Sequence, residues 1–91
     1  MRPCVIVSDD RFNRSASGLV VIVPLTSVDR AIPWHVRVTP ADGGVRQESW
    51  AMVDQLRTVS RERLAGDPWG RVSSTVIAAI EERLRLLLGL A

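Results

Sequence analysis

Apolar residues in this chain come in short runs, each with its own period. The most informative run lies within residues 49–64, Ser-Trp-Ala-Met-Val-Asp-Gln-Leu-Arg-Thr-Val-Ser-Arg-Glu-Arg-Leu. Trp50, Met52 and Leu56 fall on one parity and Ala51 and Val53 on the other. Both faces are therefore apolar, as in a strand inside a small closed sheet. Asp54, Gln55, Arg57 and Thr58 appear where the run ends. The pattern predicts one buried strand that delivers a carboxylate, an amide and a guanidinium to a rim. Ser60 is placed to cap a short helical turn over 61–64.

Upstream, Cys-Val-Ile-Val-Ser at 4–8 reads as a buried strand of β-branched residues. Residues 9–18 form a polar loop rich in turn formers. Residues 19–23 predict a second buried strand, stopped at Pro24 because proline has no N–H for the ladder. Residues 34–38 alternate large apolar with polar side chains, a half-exposed strand with His35 on its surface. A turn over 40–44 carries Asp-Gly-Gly at its tip. Downstream, residues 67–70 turn the chain and Arg71-Val72 suggest one short strand. Ser73 or Ser74 then caps a helix in which Val76, Ile77, Ile80, Leu84, Leu87 and Leu88 share a face. Glu81 and Arg85 have the spacing of an i,i+4 pair, and Gly89 closes the helix. Short strands followed by one amphipathic helix predict a single domain over 1–91. It is mainly β with a C-terminal helix, a small barrel plugged by that helix.

Composition narrows the class. A chain of 91 residues supports one domain with a modest core. Its 46% hydrophobic and 24% charged residues are ordinary for a soluble chain. No apolar run approaches the roughly 18 to 20 residues of a membrane span. The N-terminus lacks the regions of a signal peptide, so the expectation is a cytoplasmic protein with no membrane partner. Cys4 is the single cysteine, which excludes an internal disulfide and reads as a small buried residue. The net charge of +2 is weak, but all 12 basic side chains are arginine. The planar arginine fork suits phosphate; a GC-rich genome would give the same bias. One histidine and one cysteine, without His-x-x-x-His or Cys-x-x-Cys spacing, predict no metal site and no cofactor. Gly43-Gly44 matches no phosphate-binding loop, and no serine sits on a nucleophile elbow.

Five stretches, in order, carry a resemblance. The first is Arg2-Pro3-Cys4-Val5-Ile6-Val7-Ser8-Asp9-Asp10 with Asn13-Arg14 in its loop; the second and third are Pro24-Leu25-Thr26-Ser27 and Pro33-Trp34-His35-Val36. Val53-Asp54-Gln55-Leu56-Arg57-Thr58-Val59 and Leu84-x-x-x-Leu88-Gly89-Leu90 complete the series. Together they resemble the MazF/PemK family of toxin endoribonucleases over nearly the whole chain. The resemblance implies an SH3-like small barrel of the CcdB/MazF type that forms a homodimer and is neutralised by a cognate antitoxin. It also implies metal-independent cleavage of single-stranded RNA at a short sequence. The 2′-hydroxyl attacks its own 3′-phosphate, leaving a 2′,3′-cyclic phosphate and a 5′-hydroxyl.

The family's catalytic arginine and threonine match Arg2 and Thr26, with threonine donating to a nonbridging oxygen and arginine holding the developing charge. Asp54, Gln55 and Arg57 match substrate-binding positions at the rim, where amides and carboxylates meet unpaired base edges. Asn13, Phe12 and Ser27 are secondary candidates. Arg57 also reads as a solvated strand residue and Asp54 as a turn cap. Trp34, Trp50 and Trp69 read as core and dimer-interface packing. Family members place a further strand and a Gly-Ser-Glu loop before the Arg-Pro pair. Their absence here predicts an open edge along 4–8, covered by a second copy of the chain. Two other readings stay open: a shortened relative that titrates the antitoxin, and a CcdB-like gyrase poison. The C-terminus, Leu88-Gly89-Leu90-Ala91, lacks the Trp-Gly-Ile-like ending of the latter.

Overall fold

One strand, β2 (Leu19–Thr26), pairs with three others and organises the molecule. The computed structural model describes residues 3–64 and 70–90. In chain order they form β1 (Cys4–Ile6), a one-turn helix α1 (Asp10–Asn13), β2, β3 (His35–Val38), β4 (Ser49–Met52), β5 (Arg57–Ser60) and α2 (Ser74–Leu88). Single 3-10 turns fall at Pro40–Asp42, Val53–Gln55 and Arg61–Arg63. All pairing is antiparallel. Leu19 to Ile22 pair with Ser60 to Arg57, Ile22 to Pro24 with Ile6 to Cys4, and Leu25 and Thr26 with Ala51 and Trp50. Ile22 is matched with both Ile6 and Arg57, so β1 runs along one edge of β2 and β4 with β5 along the other. β3 then adds to β4. β2 thus passes from a β1–β2–β5 sheet into a β2–β4–β3 sheet. The expected mainly β architecture with a C-terminal helix is what forms.

β2 continues through Pro24, contrary to the expectation that proline would stop it. Against β1, the hydrogen-bonded register runs through Val7 N–H to Val21 O (2.9 Å) and Leu25 N–H to Pro3 O (3.0 Å). Pro24 opposite Cys4 is therefore a non-bonded pair, and its nitrogen points to the other edge. There the partner chain is passing through the 3-10 turn between β4 and β5, and neither strand pairs with Val23 or Pro24. No ladder donor is missed.

The same turn explains a second departure. Residues 49–64 form two strands separated by Val53–Gln55, and only the first is buried on both faces. Residues 9–18 hold α1, nucleated because the Asp9 carboxylate accepts from Arg11 N–H at 2.9 Å. Arg71 and Val72 form no strand, and Glu81 and Arg85 do not pair; Arg83 instead meets Glu82 at 3.2 Å. Residues 67–69 of the expected turn, with Trp69, lie outside the described residues. Ser60 caps its 3-10 turn as expected, accepting from Glu62 N–H at 3.3 Å.

The core joins Val5, Val23, Leu25, Val36, Val38, Ala51 and Val53 of the sheet side to Val76 and Ile80 of α2. Fully burying an aliphatic side chain contributes about 1.5 to 3 kcal/mol, which makes this cluster the main source of stability. Ser73 caps α2 by accepting from Val76 N–H at 3.3 Å. At the other end Gly89 is left-handed, and Leu90 N–H reaches Arg85 O at 2.8 Å. The helix is held to the sheet by polar ties as well. Ser73 N–H donates to Asp42 O at 2.7 Å and Arg83 Nε to Pro33 O at 2.9 Å. Gly43 is needed at this junction, since a Cβ there would sit 2.3 Å from the Arg71 carbonyl oxygen. Val76 and Ile80 are buried, whereas Leu86, Leu88 and Leu90 are exposed.

Candidate nucleic-acid interface

Residues directly opposite in an antiparallel pair point to the same face. The register therefore sorts side chains without further assumption. Val23 and Leu25 face the core with Val5 and Ala51. Ile22, Pro24 and Thr26 face the other way, together with Cys4, Ile6, Arg57, Trp50, Met52, Arg37 and His35. This second face is not simply wet. Ile22, Pro24, Met52 and His35 are buried on it, while Cys4, Thr26 and Trp50 are half-buried and Arg57 is exposed. A shallow cavity of about 160 Å³ opens here, lined by Pro3, Cys4, Ile22, Pro24, Met52, Gln55 and Arg57. It has an apolar floor with an amide and a guanidinium at its rim.

Thr26 ends β2 on this face. Its Oγ1 accepts from Val28 N–H at 3.2 Å, which orients the hydroxyl while leaving its proton free to donate. Ser27 follows, exposed. Asp54 and Gln55 belong to the 3-10 turn that separates β4 from β5, and Arg57 opens β5. Gln55 and Arg57 are exposed, and neither side chain has a hydrogen-bond or ion-pair partner among the described residues. Asp54 is anchored: its Oδ1 lies 3.1 Å from His35 Nε2, with the His35 side chain 2% exposed and that of Asp54 32%. His35 Nδ1 is buried without a partner among the described residues. The tautomer carrying its proton on Nε2 suits both nitrogens, donating to the carboxylate and leaving Nδ1 a bare lone pair instead of an unsatisfied N–H. Burial pushes the Cys4 thiol up, so it stays protonated near neutrality and is no thiolate nucleophile.

The structure thus brings Thr26, Gln55 and Arg57 to one face, with Ser27 next in chain and Asp54 in the adjoining turn. Asn13 is used differently. Its Nδ2 donates to Ser8 O at 3.1 Å, its Oδ1 accepts from the Ser8 hydroxyl, and Ser8 Oγ accepts from Val21 N–H at 2.9 Å. That clamp fixes the α1 loop against β2, and Asn13 does not line the cavity. Arg2 lies outside the described residues; Pro3, which follows it, does line the cavity. Phe12 is exposed on α1, and Trp34 is half-buried outside the core cluster. His35 corrects the sequence reading most sharply, being buried where alternation predicted a surface residue. Alternation alone had no signal for it, because its surroundings are set by the β3–β4 register and by Asp54, nineteen positions away.

The description PemK-like, MazF-like toxin of type II toxin–antitoxin system belongs to the family whose model matches residues 1–88. The chain belongs to this family. The MazF-like chain is 36% identical over 94 residues to endoribonuclease MazF9 of Mycobacterium tuberculosis, spanning 98% of this chain and 79% of that protein. It is 35% identical over 92 residues to a probable endoribonuclease MazF of Mycolicibacterium smegmatis, spanning 99% and 82%. A mycobacterial endoribonuclease solved in complex with its cognate antitoxin superposes with a TM-score of 0.83 at 32% identity, covering 99% of this chain and 82% of the other. A MazE–MazF structure from Deinococcus radiodurans gives 0.81 at 26%, covering 99% and 84%. The family resemblance read from the five motifs is borne out, and so is the fold it implies.

Proposed function

We propose that this MazF-like toxin is an endoribonuclease that cuts single-stranded RNA. One observation carries the reading: Gln55 and Arg57 line a shallow, largely apolar cavity on the face of β2 opposite the core, the face to which Thr26 also points. An apolar floor accommodates a base, and free guanidinium and amide groups meet phosphate and base edges. The 2′-oxygen attacks the adjacent phosphorus, the bond from phosphorus to O5′ breaks, the 2′-proton is lost and O5′ gains one. Thr26 donates its hydroxyl to a nonbridging oxygen as negative charge builds there, and Arg2 holds the same charge with its fork. Electrostatic stabilisation is the role assigned to Arg2, since a guanidinium does not deprotonate near neutrality. Gln55 and Arg57 bind RNA directly, Asp54 reads a base edge, Ser27 adds a contact beside Thr26, and Asn13 orders its own loop through Ser8.

The whole of residues 1–91 is read as one toxin domain, acting in the cytoplasm as a homodimer. Among the described residues no helix is long and apolar enough to cross a membrane. Its protein partner is a cognate antitoxin, as in the solved complexes of its relatives. The antitoxin's acidic segment would compete with RNA phosphates for Arg57. Purified protein incubated with a long RNA in EDTA, with both new ends identified, tests this. Cuts at one short sequence with 2′,3′-cyclic phosphate and 5′-hydroxyl ends are expected. Intact RNA, or ends carrying a 5′-phosphate, would reject the proposal.

A further inference from the structure

Two polar residues, His35 and Ser49, are buried and take no part in the proposed cleavage; the Ser49 hydroxyl is satisfied by Gln47 O, whereas His35 keeps an unpartnered nitrogen among the described residues. His35 is a core-depth imidazole with a single partner, and that partner is a rim carboxylate. Its position follows from the register: His35 lies directly opposite Met52, a lining residue of the cavity, and Asp54 sits in the turn two residues beyond Met52. Polar side chains buried this deeply are costly unless their hydrogen bonds are made. Here one ring nitrogen is satisfied by Asp54 and the other meets nothing, so packing alone does not account for a histidine. Asp54, for its part, has no other hydrogen-bond partner among the described residues. One of its oxygens is fixed by the imidazole and the second remains available.

We infer that His35 is a positioning residue that sets base preference: by fixing Oδ1 of Asp54, it aims the second carboxylate oxygen at the groove as a hydrogen-bond acceptor. A carboxylate held in one orientation selects bases that present an amino donor, namely adenine, cytosine or guanine, over uracil, whose only edge donor is a ring N–H. A carboxylate free to rotate accepts from either with less discrimination. The inference rests on the RNA-cleaving reading, with Asp54 as a reader. It adds that specificity at this position is built from the second layer, through a residue that touches no RNA.

The test uses the full chain and two readouts. His35 is the only histidine, so the ¹⁵N spectrum of labelled imidazole reports this ring without assignment. The Nε2–H tautomer should dominate in the wild type and give way to a tautomer mixture in Asp54→Leu. Cleavage-site mapping on a pool of randomised RNA is the second readout. Wild type should show a preference against uracil at one position. His35→Leu should weaken that preference about tenfold, the scale of one hydrogen bond, at nearly unchanged rate on the least selective sites. His35→Gln, which restores a donor at a similar reach, should recover most of it, and Asp54→Ala should lose it as His35→Leu does. Unchanged base preference in a folded His35→Leu, or an Nδ1–H tautomer in the wild type, overturns the inference alone. If His35→Leu does not fold, the His35→Gln and Asp54→Ala maps and the spectrum decide. Absence of any RNA cleavage by the wild type removes the endoribonuclease reading and takes this inference with it, even where the tautomer is as expected.

Discussion

The two faces of β2 make different use of equally apolar sequence. On one side Val23 and Leu25 meet Val5, Ala51, Val36 and the helix residues Val76 and Ile80, a set that is wholly aliphatic. On the other, Ile22, Pro24 and Met52 are just as buried, yet they border a histidine, a carboxylate, an amide and a guanidinium. Neighbouring residues in one strand thus face two different surroundings. The face proposed to meet RNA is the one where the ladder is interrupted: the turn at Val53–Gln55 breaks β4 from β5 beside the cavity that Gln55 and Arg57 line.

This contrast can be broken in measurable ways. On the core face, Ile80→Ala should cost about 2 to 5 kcal/mol, the usual range for truncating a buried isoleucine. Denaturant unfolding reads it, and a loss below 1 kcal/mol would mean that α2 is not seated as described. On the groove face, Thr26→Ala should lower cleavage roughly 10²-fold, the scale of one lost transition-state donor, while unfolding midpoints stay within error. A normal rate would remove Thr26 from the mechanism. Arg57→Ala should act more gently, weakening RNA binding severalfold and reducing the slope of log affinity against log salt by about 0.7 for a single strand. The antitoxin tail should lose affinity in parallel; a loss confined to one ligand would separate the two sites.

The smallest effect concerns neither face but the turn after β3, where the start of α2 is tied to the sheet. The Thr39 N–H and then its hydroxyl hold the Asp42 carboxyl below its ordinary range, with the Ser73 hydroxyl adding to this. A depressed folded value means the contribution is fully present above the unfolded carboxylate value of about 3.9. It is lost as pH falls through that value toward the folded one. Stability measured from about pH 6 down to pH 3 should therefore fall less steeply in Asp42→Ala than in the wild type. Identical slopes would mean that the capping box does not persist in solution.

How far the chain could be read in advance follows the same division. The apolar runs named β1 to β4 and the 3.6-residue period placed α2, because core packing repeats along each element; β5, with its polar start at Arg57 and Thr58, was merged into the preceding strand. The Ser60, Ser73 and Gly89 ends were legible because capping is local. The run of β2 through Pro24 was not, since it depends on which edge lacks a partner, a property of three strands together. His35 was misread for the same reason, with its partner nineteen residues away and its depth set by register. Thr26, Gln55 and Arg57 were named from motifs, but that they share a face emerges only from pairing. Asn13 was named for its amide, which the fold commits to Ser8.

Because β2 belongs to both sheets, its amides cannot open without disturbing the core. Hydrogen exchange at Val21, Ile22, Val23 and Leu25 should report global unfolding and nothing smaller. The floor of the groove is then rigid property shared with the scaffold, closed to drift. Relatives that come to prefer a different target are free to change only what is hung on its margin: the loop after Thr26, Asp54 and Gln55 of the turn, and the first residue of β5. Divergence in this lineage should be concentrated in those few positions, with the strand beneath them held constant by folding itself.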